Sequence, residues 1–155
     1  METVFNSPLG NIKITSDNSS VTAIEFTALP ETTEIPNPIL TLAKTELQEY
    51  FANEREQFTF PIQMNGTEFQ QKVWSELQKI PFGKTVSYLQ MAVNLGDVKN
   101  IRAAASANGK NPIAIVVPCH RVIGSNGDLV GYAGGLDKKK WLLQHEGVIN
   151  QLDIF

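Results

Sequence analysis

One cysteine, Cys119, and two histidines, His120 and His145, are all that 155 residues contain of thiols and imidazoles. A single cysteine permits no internal disulfide and excludes a thiolate-rich zinc site, and two histidines are too few for most catalytic zinc constellations. No metal and no other cofactor is expected. No apolar stretch approaches the roughly 20 residues that cross a bilayer, and Met1-Glu2-Thr3-Val4-Phe5 is not the basic stretch followed by a long apolar one that opens a secretory signal. These absences point away from membranes and toward a reducing cytoplasm, where a free thiol survives.

Excess positive charge is lacking too. The net charge is −3, which at first sight argues against a polyanionic partner. The charges are unevenly spread, however: residues 1–70 carry Lys13, Lys44 and Arg55 against ten acids, a balance of −7, and residues 71–155 carry ten Lys and Arg against six acids, a balance of +4. A basic second half suits a nucleic acid, although a modest lysine excess is also what a solvated face looks like. Hydrophobic residues make up 42% and charged ones 19%, which fits one or two small domains with a real core.

The N-terminal third reads as strands. Asn11-Ile12-Lys13-Ile14-Thr15 and Val21-Thr22-Ala23-Ile24-Glu25-Phe26 alternate polar and apolar residues, and Pro8-Leu9-Gly10 supplies a turn after Val4-Phe5. After a loop from Pro30 to Pro38, the spacing of Ile39, Leu40, Leu42, Ala43, Leu47, Tyr50 and Phe51 predicts an amphipathic helix. Phe58-Thr59-Phe60 reads as one more strand.

From Asn65 the pattern changes to short helices, with a domain boundary at residues 62–66. Thr67-x-x-Gln70 is a capping box opening a helix with Phe69, Val73, Trp74 and Leu77 on one side. Ser87-x-x-Gln90 is a second box, for a helix with Leu89, Ala92 and Val93 inward and Gly96 as its stop. A third helix follows from about Val98 to Asn108, carrying Ile101, Ala104 and Ala105, so the pair is compatible with helix-turn-helix geometry. Arg102 stands on it among Ala103, Ala104, Ala105, Ser106 and Ala107. That small-residue surface suits either a duplex groove or close packing against another helix. Asp137 caps a last helix, Lys138 to Glu146, on which Leu142 and Glu146 share a face.

Cys119 ends the run Ile113-Ala114-Ile115-Val116-Val117-Pro118-Cys119-His120-Arg121-Val122-Ile123-Gly124. An apolar stretch breaking into Pro-Cys-His-Arg reads as a buried strand that delivers a thiol, an imidazole and a guanidinium to one place. On its own, a lone cysteine reads equally as a small buried hydrophobe. Downstream lie a turn cluster, Gly124 to Asp128, and Gly131-Tyr132-Ala133-Gly134-Gly135, whose glycines either let the backbone close on a flat ligand or make a plain surface loop.

With Asn111-Pro112, Pro118-Cys119-His120-Arg121-Val122-Ile123-Gly124, Gly131-Tyr132-Ala133-Gly134-Gly135 and Trp141-Leu142-Leu143-x-x-Glu146 in order, the chain resembles the O6-alkylguanine-DNA alkyltransferases. The motifs cover residues 66–147, while residues 1–62 are similar in size and in a strand-then-helix pattern. The resemblance implies an α+β fold: a ribonuclease-H-like domain over 1–62, with a small antiparallel sheet and a helix, and a mainly helical DNA-binding and active-site domain over 66–155. The second domain would carry the helix-turn-helix and a short strand leading to the cysteine.

The resemblance also implies roles. Cys119 would accept the alkyl group from O6 of guanine, with His120 and Glu146 assisting through a bound water and Asn111 bracing the turn. Tyr88 would contact the extruded nucleotide, and Arg102 would fill the gap left in the stack. Ala103, Ser106 and Arg121 would join the DNA surface. The main chain of Cys119 and Val122 would hold the guanine edge, with Tyr132 and Ala133 closing the base pocket; Ala133 stands where serine is frequent. The implied partner is double-stranded DNA containing O6-alkylguanine, O4-alkylthymine being a further candidate, and the implied state is a monomer consumed by one reaction.

Elementary chemistry adds one requirement. Consecutive residues of an extended strand point opposite ways, so His120 and Cys119 need a turn beginning at Pro118-Cys119, or a bridging water, to act together. Two other classes fit parts of the pattern: a non-catalytic damage sensor, which would lack Cys119, and a cysteine hydrolase using Cys119, His120 and Glu146 as a triad.

Overall fold

The computed structural model describes residues 1–124, 127, 129 and 131–148. Two units are distinguishable, residues 1–65 with 112–116 and residues 66–111 with the described residues from 117 onward.

In the first unit, β1 (Glu2–Ser7), β2 (Gly10–Ser16) and β3 (Val21–Phe26) form an antiparallel sheet in that order. Alternation places Ile12 and Ile14 of β2 on the buried face, and the register Phe5↔Ile12 and Ile14↔Ile24 brings their neighbours onto the same face. Helix α1 (Pro38–Phe51) begins where Asn37 accepts a hydrogen bond from the Leu40 N–H at 2.8 Å, with proline in the first turn. It covers the sheet with Leu40, Ala43, Leu47 and Tyr50.

The expected strand at Phe58–Phe60 does not form; pairing comes two residues later, as a parallel bridge between Ile62 and Val21. The run Ile113 to Val117 is also not a strand. Ile113 makes one parallel bridge with Ile24, whose N–H and C=O bond Pro112 and Ala114 at 3.0 Å each. The chain then turns, with Ile115 at φ 73°. A loop can cover part of a strand edge, and these two segments pair with the outer edge of β3 at Val21 and Ile24.

In the second unit α2 (Glu68–Leu77) carries the complete Thr67–Gln70 capping box, and its Trp74 Nε1–H donates to the Ala107 carbonyl at 2.9 Å. Val86–Ser87 (β4) leads into α3 (Tyr88–Asn94), capped by the Ser87 hydroxyl. The second half of that box is absent, because the Gln90 amide donates to Asn94 Oδ1 instead. After Gly96, at φ 110°, a 3-10 turn over Val98–Asn100 precedes α4 (Ile101–Gly109), which packs on both α2 and α3.

The inward face of α3 differs from expectation. Met91 and Ala92 are the buried residues of α3, and Leu89 and Val93 are 43% and 48% exposed. On α4, Ala104, Ala107 and Asn108 are buried, while Ile101 and Ala105 are not. Short helices covered on one side bury a narrower stripe than the hydrophobic pattern alone implies. The last helix, α5 (Leu136–His145), starts at Gly135 with φ 100°; Asp137 lies in its first turn and does not cap it. Of the turn cluster at 124–128, Ser125, Asn126 and Asp128 lie outside the described residues.

Candidate active site

Pro118 ends the approach, and Cys119–Arg121 wind into a single 3-10 turn before Val122–Ile123 (β5) pairs in parallel with β4. This is the turn that joint action of Cys119 and His120 requires. Asn111 donates its side-chain amide to the Val117 carbonyl at 2.7 Å, bracing the residues just before the turn.

Cys119 is buried at the wall of a pocket of about 310 Å³ lined by Tyr88, Ala105, Asn108, Gly109, Cys119, Gly131, Tyr132 and Ala133. Burial pushes its thiol pKa up, and the Asn111 amide and the Lys139 ammonium oppose that shift. At neutral pH the thiol therefore stays protonated and needs a base to become the reactive thiolate. Tyr88 and Tyr132 also hold their protons, both being pushed up chiefly by burial.

His120 is fully buried and its Nε2 lies 2.8 Å from Glu146 Oε2. Burial drives the imidazole pKa down, so the ring is neutral at pH 7 despite its carboxylate partner. Burial alone would raise Glu146, but the hydrogen bonds and charges of His120 and Arg121 outweigh it and hold the carboxyl well below its ordinary value. An ionised Glu146 can only accept, so Nε2 carries the hydrogen and Nδ1 keeps the lone pair. Nδ1 is buried and makes no hydrogen bond among the described residues. The pair is thus a neutral base held in one orientation.

Two expectations change. Arg121 is not a DNA-facing cation: it is buried, bonded through Nε and Nη2 to Glu146 at 2.8 and 3.0 Å and through Nη1 to the Ile80 carbonyl at 2.7 Å. A guanidinium beside a buried carboxylate is worth more paired than solvated, which turns it inward. Val122 does not line the pocket; it is fully buried, its N–H donates to the Cys119 carbonyl and its own carbonyl accepts from Lys139 Nζ at 2.7 Å. Ala133 is exposed at the pocket rim, with Tyr132 beside it. Arg102, Ala103 and Ser106 are all exposed on α4.

Two residues escaped the sequence reading. Lys139 is fully buried, donates to the carbonyls of Val122 and Gly131, and has its pKa lowered by burial to about 8. Its place three and four residues before the buried Leu142 and Leu143 is a helical signal that could have found it. Asn108, one turn after Ala104, carries the same signal; its amide bonds both Tyr88 and the Cys119 carbonyl.

Fold and site together define a cysteine-centred protein, in which a single thiol opens on a pocket beside a pair of short helices. The chain belongs to the 6-O-methylguanine DNA methyltransferase family. The family's ribonuclease-like domain matches residues 1–64 and its DNA binding domain matches residues 68–148.

The chain is 43% identical over 150 residues to a methylated-DNA--protein-cysteine methyltransferase of Methanosarcina acetivorans, covering 93% of this chain and 96% of that protein. It is 41% identical over 158 residues to the constitutive enzyme of that name from Bacillus subtilis, covering 94% of each. Among solved structures, Mycobacterium tuberculosis OGT in complex with DNA superposes with a TM-score of 0.85 at 40% identity, covering 94% of this chain and 91% of that one. No helix among the described residues is long and apolar enough to cross a membrane.

Proposed function

We propose that this protein reverses DNA alkylation directly, moving the methyl or larger alkyl group of O6-alkylguanine in duplex DNA onto Cys119. The observation that carries the reading is the placement of the only thiol at the wall of the pocket between Tyr88 and the Gly131–Ala133 loop, with an oriented neutral imidazole as its chain neighbour. The acidic residues 1–62 form the ribonuclease-H-like domain, and residues 66–155 bind DNA and react.

The steps follow from the geometry. The damaged nucleotide leaves the stack, at a cost of a few kcal/mol, and enters the pocket. Arg102 on the exposed face of α4, among the small residues Ala103, Ala105 and Ser106, fills the gap. His120 Nδ1 takes the Cys119 proton through a water, and Glu146 stabilises the imidazolium. The thiolate attacks the alkyl carbon in line, a C–S bond forms as the C–O6 bond breaks, and the electron pair stays with guanine. Tyr88 protonates the leaving base at its ring edge. Water does not readily cleave a thioether, so each molecule reacts once. A free thiol with this duty suits the cytoplasm.

The test is to incubate the protein with duplex DNA carrying O6-methylguanine and weigh the intact chain. One methyl group on Cys119 per repaired base is expected, and Cys119→Ser binds the duplex without transfer. Complete repair by protein that emerges unmodified overturns the reading in favour of a hydrolase.

A further inference from the structure

Asn108 is a polar side chain where the fold asks for an apolar one. It lies on the buried stripe of α4 and is 6% exposed. Its Nδ2 donates to the Tyr88 hydroxyl at 3.4 Å and to the Cys119 carbonyl at 3.3 Å, while Oδ1 is buried with no hydrogen-bond partner among the described residues. An orphaned buried oxygen is a cost to the native state. The Cys119 carbonyl does not need the amide, since it already accepts from the Val122 N–H. A leucine would fill the same space without that cost, so stability does not account for the asparagine.

Its donor contacts do. An amide N–H can only donate, so the Tyr88 oxygen is the acceptor and the phenol's own hydrogen goes to a different acceptor. Asn108, Tyr88 and Cys119 line one pocket, and a base bound there presents ring nitrogens that can accept it. Donation to the phenol oxygen also stabilises its conjugate base, easing release of the proton; the Asn108 contact lowers the Tyr88 pKa against the larger upward push of burial.

We propose that Asn108 is a positioning residue for alkyl transfer: one amide aims the Tyr88 hydroxyl as a proton donor to the leaving base and ties it to the main chain of the nucleophile. The inference rests on Cys119 as acceptor and Tyr88 as acid. It makes Asn108 and Tyr88 one functional unit.

Single-turnover transfer from a duplex carrying O6-methylguanine, with thermal unfolding alongside, is measured for the wild type, Asn108→Leu, Tyr88→Phe and the double variant. Asn108→Leu is expected to unfold no earlier than the wild type and to saturate at the same DNA concentration, with a maximal rate lower by about ten-fold. On the Tyr88→Phe background the same substitution changes the rate by less than about two-fold. An undiminished rate, or an equal loss on both backgrounds, overturns the proposal. Asn108→Ala, which removes both donor contacts and adds no bulk, carries the same comparison if the leucine variant does not fold. Wild-type protein that takes no methyl on Cys119 overturns the function itself, so the two failures are told apart.

Discussion

Arg121 and Glu146 form a two-point ion pair inside the C-terminal unit, Nε to Oε1 at 2.8 Å and Nη2 to Oε2 at 3.0 Å, both residues being buried. The same carboxylate receives His120, so one acid holds the base and is itself held by a permanent cation. Removing the cation leaves a charge in the interior without compensation. Arg121→Ala is therefore expected to lose about 3–5 kcal/mol of stability in urea denaturation. A loss under about 1 kcal/mol would show that the pair is solvated.

Glu146 also sets an acid limit. Its carboxyl is held below its ordinary value of 4.5, to about 2, so the folded state binds fewer protons than the unfolded chain in that window. The stabilisation is fully present above about pH 4.5 and is lost as pH falls toward 2. Denaturation of the wild type and Glu146→Gln at a series of pH values should show the difference between them shrinking over that range. A difference independent of pH contradicts the assignment.

The reaction itself should report the imidazole. Burial lowers the His120 pKa from 6.5, so the base is unprotonated at neutral pH and the acid limb of the transfer rate lies below 6.5. His120→Gln should slow transfer by about 10²-fold while duplex binding persists. A midpoint above 6.5 would mean that another group supplies the base.

Arg102 and duplex substrate form a separate prediction. If its exposed side chain stabilises the extruded nucleotide, Arg102→Ala slows transfer from the duplex by about ten-fold or more, because flipping costs a few kcal/mol. The loss should be confined to duplex substrate and absent with the free O6-methylguanine base. Equal losses on both would place Arg102 in the chemistry and not in the stack.

Gly66 carries a packing requirement. A Cβ there would stand 2.6 Å from both Gln70 Oε1 and Trp74 Cη2, inside the capping box and against a buried ring. Gly66→Ala should cost about 1–3 kcal/mol through forced repacking. Gly109→Ala, whose Cβ meets nothing within 4 Å, is the control for the same measurement in urea.

Much of this was legible in the chain because the signals are local. Period-2 alternation placed Ile12 and Ile14 in a strand, Thr67 and Gln70 announced the start of α2, and the impossibility of pairing adjacent side chains on a strand required the turn at Pro118-Cys119. The failures have one cause. Helical spacing puts Leu89 and Val93 inward, but it says which residues share a face and not whether anything covers it. Phe58-Thr59-Phe60 and Ile113 to Val117 have strand composition, but a strand needs a partner edge along its length: the first segment pairs nowhere, its neighbour Ile62 making a single bridge instead, and the second makes one bridge, at Ile113.

The amino-acid sequence by itself determined the family, the candidate nucleophile and the order of the helices, since these rest on residue types at fixed short spacings. Tertiary structure alone decided which charges turn inward and which polar groups meet: Arg121 bonds a carbonyl 41 residues away at Ile80, His120 a carboxylate 26 away at Glu146, and Asn108 the main chain of the nucleophile 11 away. Such contacts depend on how helices pack in three dimensions, and no single window of sequence encodes burial, which shifts Cys119, Tyr88 and His120 toward their neutral forms, or the buried partners that keep Glu146 ionised.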